Sequence, residues 1–324
     1  MGIHLITGAA GYLGTYLRKA LRERGQEVRG FDLRAPAACE DGVQWVTGDI
    51  RDPAAVRRAC DGAEVVYHLA ALIPQRRATP EVMRAVNVDG TAHVLEAARA
   101  VGVRRVVYLS SVEVYGVPAV SPCPEEAPLA PIGEYGRNKV ESEGLCLEAV
   151  RQGLEVSILR PTTIVGPGLD EPFFLGLLRS VRDGKPVVIL GRGANRFQLV
   201  HGEDVAAVCM VAAEHPAAVG EAFNVGSVDV PSIGRMVEEV LARVGSRSRI
   251  VRLPAGLARV AVGALRLVGR APLEPEHMRI ALSEYVFSVA KAERVLGWHP
   301  RWPQVEAMIE TYAWLTGKGG SEPR

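Results

Sequence analysis

The sequence predicts an α/β protein built on a doubly wound parallel sheet, with a smaller lobe formed by its C-terminal part. Three observations lead there. Short apolar runs alternate with longer amphipathic stretches up to about residue 160. A glycine-rich turn joins the first run to the first amphipathic stretch. After Arg160 the alternation breaks down.

The apolar runs fall at residues 3–7, 28–32, 43–46, 65–69, 106–109 and 156–159. Most are short and rich in β-branched residues, as expected of strands buried on both faces. Helical patterns occupy 11–24, 53–60, 81–101 and 135–152. Beyond them, 161–168 (Pro-Thr-Thr-Ile-Val-Gly-Pro-Gly) reads as a loop, and 173–181 as an apolar helix. Further strands are expected at 187–190 and 222–225, and a helix at 235–244. The expected division is 1–165 for a nucleotide-binding domain that borrows strands from the second half, 166–316 mainly for a substrate-binding lobe, and 317–324 for a flexible tail.

The 324 residues are 48% hydrophobic and 23% charged, with a net charge of +1. Acids and bases are mixed throughout, so there is no electrostatic footprint for nucleic acid or an anionic membrane. No apolar run is long enough to span a bilayer. The strand at 3–7 feeds directly into the glycine turn, which leaves no signal peptide in front of the fold. Cys39, Cys60, Cys123, Cys146 and Cys209 form no CxxC pair and lie at no metal-ligand spacing from a histidine. Reduced thiols, a cytoplasmic location and no metal are the expectation.

Chemistry concentrates at the ends of the apolar runs. Thr7-Gly-Ala-Ala-Gly-Tyr-Leu-Gly14 places Gly8, Gly11 and Gly14, with Tyr12 and Leu13, where backbone N–H groups can approach a pyrophosphate at a helix start. Asp32, at the end of the second strand, can accept hydrogen bonds from ribose hydroxyls and repel a 2′-phosphate. It favours NAD over NADP, although Arg34, just past Leu33, could meet a phosphate. Asp49-Ile50 follows the third strand, within reach of an adenine amino group. Leu69-Ala-Ala71 follows the fourth, where small side chains let the chain pass close to a cofactor. His68 reads as a buried strand-end histidine. Tyr135 and Lys139 share a helix face at i, i+4. The ammonium is expected to lower the phenol pKa and to hold a ribose, which makes the tyrosine a base for a substrate hydroxyl. Lysines are few here (19, 139, 185, 291 and 318), which gives this pairing weight. Ser111, at the end of the fifth strand, can share the reacting oxygen, and it lacks the Gly-x-Ser-x-Gly elbow of a hydrolase.

Together these residues resemble the extended short-chain dehydrogenase/reductase family, in its NAD-dependent epimerase/dehydratase branch. To the stretches above the resemblance adds Asn87-Val-Asp-Gly-Thr91, Ser110-Ser-x-x-x-Tyr-Gly116, Arg160-Pro161, Arg196-Phe-Gln-Leu-Val-His201 with Asp204, Phe223-Asn-Val-Gly226 and Leu296-Gly-Trp-x-Pro300. It implies a Rossmann domain, Tyr135 as base, Lys139 as its partner, and Ser111 beside them. Asn87, Pro161 and Thr163 join the implied NAD contacts. It also implies a homodimer through the helices at 81–101 and 135–152.

Departures from the family bear on the substrate. Val112, before Glu113, cannot donate a proton to a leaving hydroxyl, which disfavours a 4,6-dehydratase. The arginine-glycine-acid stretch of nucleotide-sugar epimerases is missing from 272–279, leaving Arg196 and Arg279 as candidate diphosphate contacts and Glu113 as a substrate-facing group. The run 285–297 is similar to dihydroflavonol reductases and hydroxysteroid dehydrogenases. The apolar stretch 253–268, with Arg259, Arg266 and Arg270 on one stripe, reads as a lobe helix, with a lid or a membrane surface as the alternative. The first expectation is a sugar-nucleotide epimerase that returns the hydride to its keto intermediate. The second is a dehydrogenase or ketone reductase on a more apolar alcohol. A catalytically silent NAD-binding protein is disfavoured by the complete Ser–Tyr–Lys set.

Overall fold

The computed structural model describes residues 2–36, 42–73, 78–257 and 275–317. Seven parallel strands form the central sheet: β1 (Ile3–Thr7), β2 (Glu27–Asp32), β3 (Gln44–Thr47), β4 (Ala63–His68), β5 (Arg105–Leu109), β6 (Glu155–Pro161) and β10 (Ala222–Val225). Their order is β10-β6-β5-β4-β1-β2-β3, and the sequence reverses direction between β1 and β4. Ligands of such sheets bind at the strand C-termini beside this reversal.

Alternation along each strand feeds two cores. Ile6, Val65, Tyr67, Val107 and Leu159 pack against α1 (Tyr12–Glu23) and α7 (Gly202–Glu214). Leu5, Val66, Val106, Tyr108 and Ile158 pack on the other face. There they meet α2 (Pro53–Cys60), α4 (Gly90–Val101) and α5 (Glu134–Arg151). A third core lies under the C-terminal lobe, where Phe174, Leu178 and Val181 of α6 (Pro172–Arg182) meet Met236, Val237 and Val240 of α8 (Ile233–Arg243), with Met308 and Tyr312 from the helix Gln304–Leu315.

Two elements differ from the sequence reading. The expected helix at 81–101 is α3 (Pro80–Arg84), a π-helical turn (Ala85–Asp89) and then α4. The wider turn leaves the Asn87 carbonyl accepting from the hydroxyls of Thr91 (2.6 Å) and Ser142 (2.9 Å), as π-bulges do when side chains compete for the helix ladder. The expected loop at 161–168 contains β7 (Thr163–Val165), which pairs in parallel with β9 (Leu199–His201). Its β-branched residues find their partner far along the chain, which local pattern does not show. A second small sheet pairs β8 (Val187–Leu190) with β11 (Ile250–Leu253).

Most of the apolar stretch 253–268, with Arg259, Arg266 and Arg270, lies outside the described residues, as do Cys39 and the tail from Lys318. The other four cysteines are buried free thiols. No described helix is long and apolar enough to cross a membrane.

Candidate functional site

The C-terminal ends of β1, β2, β4, β5 and β6 open onto one cavity of about 1030 Å³. Gly8, Gly11, Tyr12, Leu13 and Gly14 line it at one end. Gly8 adopts φ +71°, and a Cβ there would lie 2.8 Å from the Ala70 nitrogen. A Cβ on Gly14 would lie 2.5 Å from the carbonyl oxygens of Gly8 and Ala9. Only glycine lets the turn close this tightly. Gly11 is the N-cap of α1 and offers no side-chain cap, so the helix start faces the cavity with its first N–H groups uncapped by a side chain.

Asp32 lines the cavity, its Oδ2 accepting from the Ala10 N–H (3.0 Å), which ties the carboxylate to the glycine turn. Leu33 lines the cavity beside it; Arg34 is exposed and does not. Asp49 and Ile50 form the adjoining wall, with Asp49 held by Arg51 (2.6 Å), whose guanidinium lowers its carboxyl pKa. Leu69, Ala70 and Ala71 follow. Behind them the fully buried His68 bridges the hydroxyls of Thr7 (Nδ1, 2.7 Å) and Thr91 (Nε2, 2.9 Å). Burial, with the Lys139 charge second, pushes its pKa down to about 3, so the ring is neutral. These features fit a dinucleotide: an uncapped helix start for phosphates, a carboxylate for ribose hydroxyls and small residues where the chain passes close.

Asn87 takes a different place. It does not line the cavity; its amide accepts from the Leu72 N–H (2.7 Å) and donates to the Leu72 carbonyl (2.9 Å). Both ends of the amide hold the segment after β4, so in this structure Asn87 has a loop-holding role beside the cavity.

At the other end, the start of α5 brings Tyr135 and Lys139 to the end of β5. The Lys139 Nζ donates to the Leu109 carbonyl (2.6 Å) and lies 4.8 Å from the Tyr108 ring centre and 5.6 Å from that of Tyr135. Burial pushes its pKa down to about 8, against the charges of Glu143 and Glu113. Ser111 Oγ accepts from the Glu113 N–H (3.2 Å), and its hydroxyl lies close enough to the Tyr135 phenol to oppose the rise of its pKa. The Tyr135 pKa is raised, first by burial and then by Glu113. The expected lowering by Lys139 is absent here: its proton goes to Leu109 and its charge faces the ring. Tyr135 is therefore a phenol in the ligand-free protein.

Pro161, Thr162 and Thr163 complete the floor, and Glu113 lines the wall. Beyond them the lining comes from Leu169, Phe173, Phe174, Leu177, Ile189, Phe197, Met236, Ile280 and Tyr285, with Asp170 and Glu171. Lys139 is the only cationic side chain in the described lining. Arg196 does not line the cavity: its Nε is paired with Glu284 (3.1 Å), and the next residue, Phe197, faces the cavity instead. Arg279 is exposed on the helix Pro275–Ala281, while its neighbours Ile280 and Ala281 line the wall. One step along a strand or helix thus puts each expected cation on the wrong face. The hydroxyls of Thr162 and Tyr285, both on buried cavity-lining residues, have no hydrogen-bond partner among the described residues. Sequence reasoning did not single out these two, nor Ser110 and Glu143 behind the reacting centre; only the i, i+4 spacing of Glu143 from Lys139 signalled the last. No cluster able to hold a metal occurs among the described residues.

Comparison with known proteins agrees with this geometry. Residues 4–226 match the model of the NAD dependent epimerase/dehydratase family. The chain is 33% identical to a 3 beta-hydroxysteroid dehydrogenase/Delta 5-->4-isomerase of Mycobacterium tuberculosis, over 96% of this chain and 89% of that one. It is 30% identical to a UDP-glucose 4-epimerase of Mycolicibacterium smegmatis, over 97% and 98%. Among solved structures, MoeE5 in complex with UDP-glucose and NAD superposes with a TM-score of 0.79 at 27% identity, covering 98% of this chain and 99% of that one.

Proposed function

This chain belongs to the NAD-dependent epimerase/dehydratase family, and on that premise we propose that it is an NAD-dependent dehydrogenase, acting in reverse as a ketone reductase, on a secondary alcohol with an apolar skeleton. The observation that carries the proposal is the charge of the substrate end. Its described lining is aromatic and aliphatic, and its charged members beyond Lys139 are Glu113, Asp170 and Glu171. A sugar nucleotide would bring two phosphate charges to a wall whose described residues include neither Arg196 nor Arg279. Anions buried without a guanidinium partner are strongly disfavoured. An apolar skeleton gains about 25 cal/mol for each Å² it buries against the same surface.

The residues divide the work as follows. Gly8, Gly11, Tyr12, Leu13 and Gly14 receive the pyrophosphate, Asp32 the adenosine ribose hydroxyls and Lys139 the nicotinamide ribose. Leu33, Asp49, Ile50, Leu69, Ala70, Ala71, Pro161 and Thr163 wall the cofactor. NAD when bound would supply the hydride acceptor and a positive charge that favours the ionised phenol. Ser111 and Tyr135 would hydrogen-bond the substrate oxygen, and Tyr135, ionised when the cofactor is bound, would take its proton while the carbon gives up its hydride to the acceptor and becomes a ketone. In the reducing direction the Tyr135 phenol, the form present without ligand, gives that proton back. Thr162 and Tyr285 offer hydroxyls to further polar atoms of the substrate. The rival reading, a sugar-nucleotide epimerase, draws on the likeness to the UDP-glucose 4-epimerase and to MoeE5. Binding separates the two: in the presence of NAD, a hydroxylated polycyclic hydrocarbon should bind at micromolar concentration and UDP should not. UDP binding with the tighter affinity would reverse the assignment.

A further inference from the structure

The stripe of α5 that carries Tyr135 and Lys139 continues, one turn on, to Glu143, which is 3% exposed. Its carboxylate is engaged on three sides. Oε1 accepts from the Ser110 hydroxyl (2.5 Å) and from Arg160 Nε (2.9 Å), and Oε2 accepts from Arg160 Nη2 (2.7 Å). Arg160, itself buried in β6, donates through Nη1 to the Tyr115 hydroxyl (2.6 Å) and to the Glu125 carbonyl (3.3 Å). The Tyr115 hydroxyl donates in turn to Asn224 in β10 (2.9 Å). One ion pair therefore ties α5 to the ends of three neighbouring strands.

The end of β5 shows what this tie controls. Leu109 and Ser110 are consecutive, and each is held by a different turn of α5: Leu109 by Lys139 and Ser110 by Glu143, with Ser111 next in the chain. A slip of the helix along the strand end would break both contacts at once. The groups facing Lys139 are Glu113 from the turn after β5, Glu143 and Cys146 from its own helix, Tyr108 and Tyr135 by their rings, and His68 from β4. The Glu143 carboxylate is fixed by the buried Arg160 guanidinium.

We propose that the Glu143–Arg160 pair is a positioning unit of the reacting centre: it sets the register of α5 against the end of β5, and with it the place and surroundings of Lys139. The proposal rests on the role given to Tyr135 and Lys139 above, but its test needs neither substrate nor turnover. A purely structural pair would be replaceable by neutral residues without consequence for Lys139, whereas removing one partner alone leaves a buried charge and confuses the two cases.

The chain has only five lysines, so lysine-selective carbon labelling gives a readable NMR titration of the ligand-free protein, with Lys139→Met identifying the signal. In the unmodified protein Lys139 should titrate near about 8. In Glu143→Gln/Arg160→Gln, which removes both charges together, it should titrate about one pH unit lower. Arg160→Lys keeps the charge pair and should leave the titration in place. Should the double variant not fold, Glu143→Asp withdraws the carboxylate by one methylene and should shift Lys139 in the same direction by less. An unmoved Lys139 titration in the folded double variant, or in Glu143→Asp if only that folds, overturns the proposal. If instead the shift is found but no alcohol is ever oxidised, the positioning unit stands and the assigned reaction is what fails.

Discussion

Acidification should expose His68 more clearly than any other group in the fold. Its ring is 1% exposed, hydrogen-bonded at both nitrogens to threonine hydroxyls, and its pKa is pushed from 6.5 to about 3 by burial and by Lys139. In the unfolded chain it protonates near 6.5, so below that pH the unfolded state binds a proton that the folded state refuses. The stabilisation from the neutral ring is thus complete above 6.5 and is lost as the pH falls toward 3. The loss approaches about 1.4 kcal/mol per pH unit, and amounts to roughly 1.3 kcal/mol between pH 7 and 5.5. His68→Gln removes the titrating ring and retains an amide able to meet Thr7 and Thr91. Urea unfolding of both proteins at the two pH values is the assay, because carboxylates common to both cancel in the difference. The unmodified protein should lose about 1.3 kcal/mol more than the variant over this interval. Equal losses would mean that His68 is solvated or already charged in the fold, and the account of the segment from Leu69 to Ala71 would lose its support.

Two further outcomes are expected at the cofactor end and the reacting centre. Asp32→Ala should narrow the preference for NAD over NADP by about 1–3 kcal/mol, read from titrations of both cofactors; equal affinities in the unmodified protein would contradict the ribose role and point to Arg34. Tyr135→Phe should lose turnover by orders of magnitude while still binding NAD, whereas Lys139→Met should weaken both, because it removes a ribose contact together with the charge. Near-normal turnover in Tyr135→Phe would mean that another group takes the proton.

The residues read as the cofactor end come together on one cavity because their signals are local. A strand, a glycine turn, a helix and a carboxylate at the next strand end occupy one stretch of chain, and each demands a residue type. Tyr135 and Lys139 were legible for the same reason, since a helix face follows from spacing alone. The substrate end was not legible, because its wall is assembled from residues near 113, 170–177, 188–190, 197, 233–236 and 280–285 that only the fold brings together. Arg196 and Arg279 were read from residue type, yet facing is decided by a one-residue offset that the isolated bridges of Arg196 to Ser232 and Phe197 to Tyr285, and the helix Pro275–Ala281, set. Asn87 was read from a motif that says where it lies and not which way its amide turns. Its direction follows from the π-helical turn, which periodicity does not reveal.

The central claim is that this chain oxidises an apolar alcohol and lets the reduced cofactor go. The most direct measurement is NADH fluorescence in free solution, followed over many turnovers, with NAD in excess and either a hydroxylated polycyclic hydrocarbon or a series of UDP-, GDP- and dTDP-sugars. The account predicts NADH accumulating in step with ketone from the apolar alcohol, and no isomerisation of any sugar nucleotide. Isomerised sugar nucleotide without free NADH would contradict it, and would return the enzyme to the epimerases it resembles.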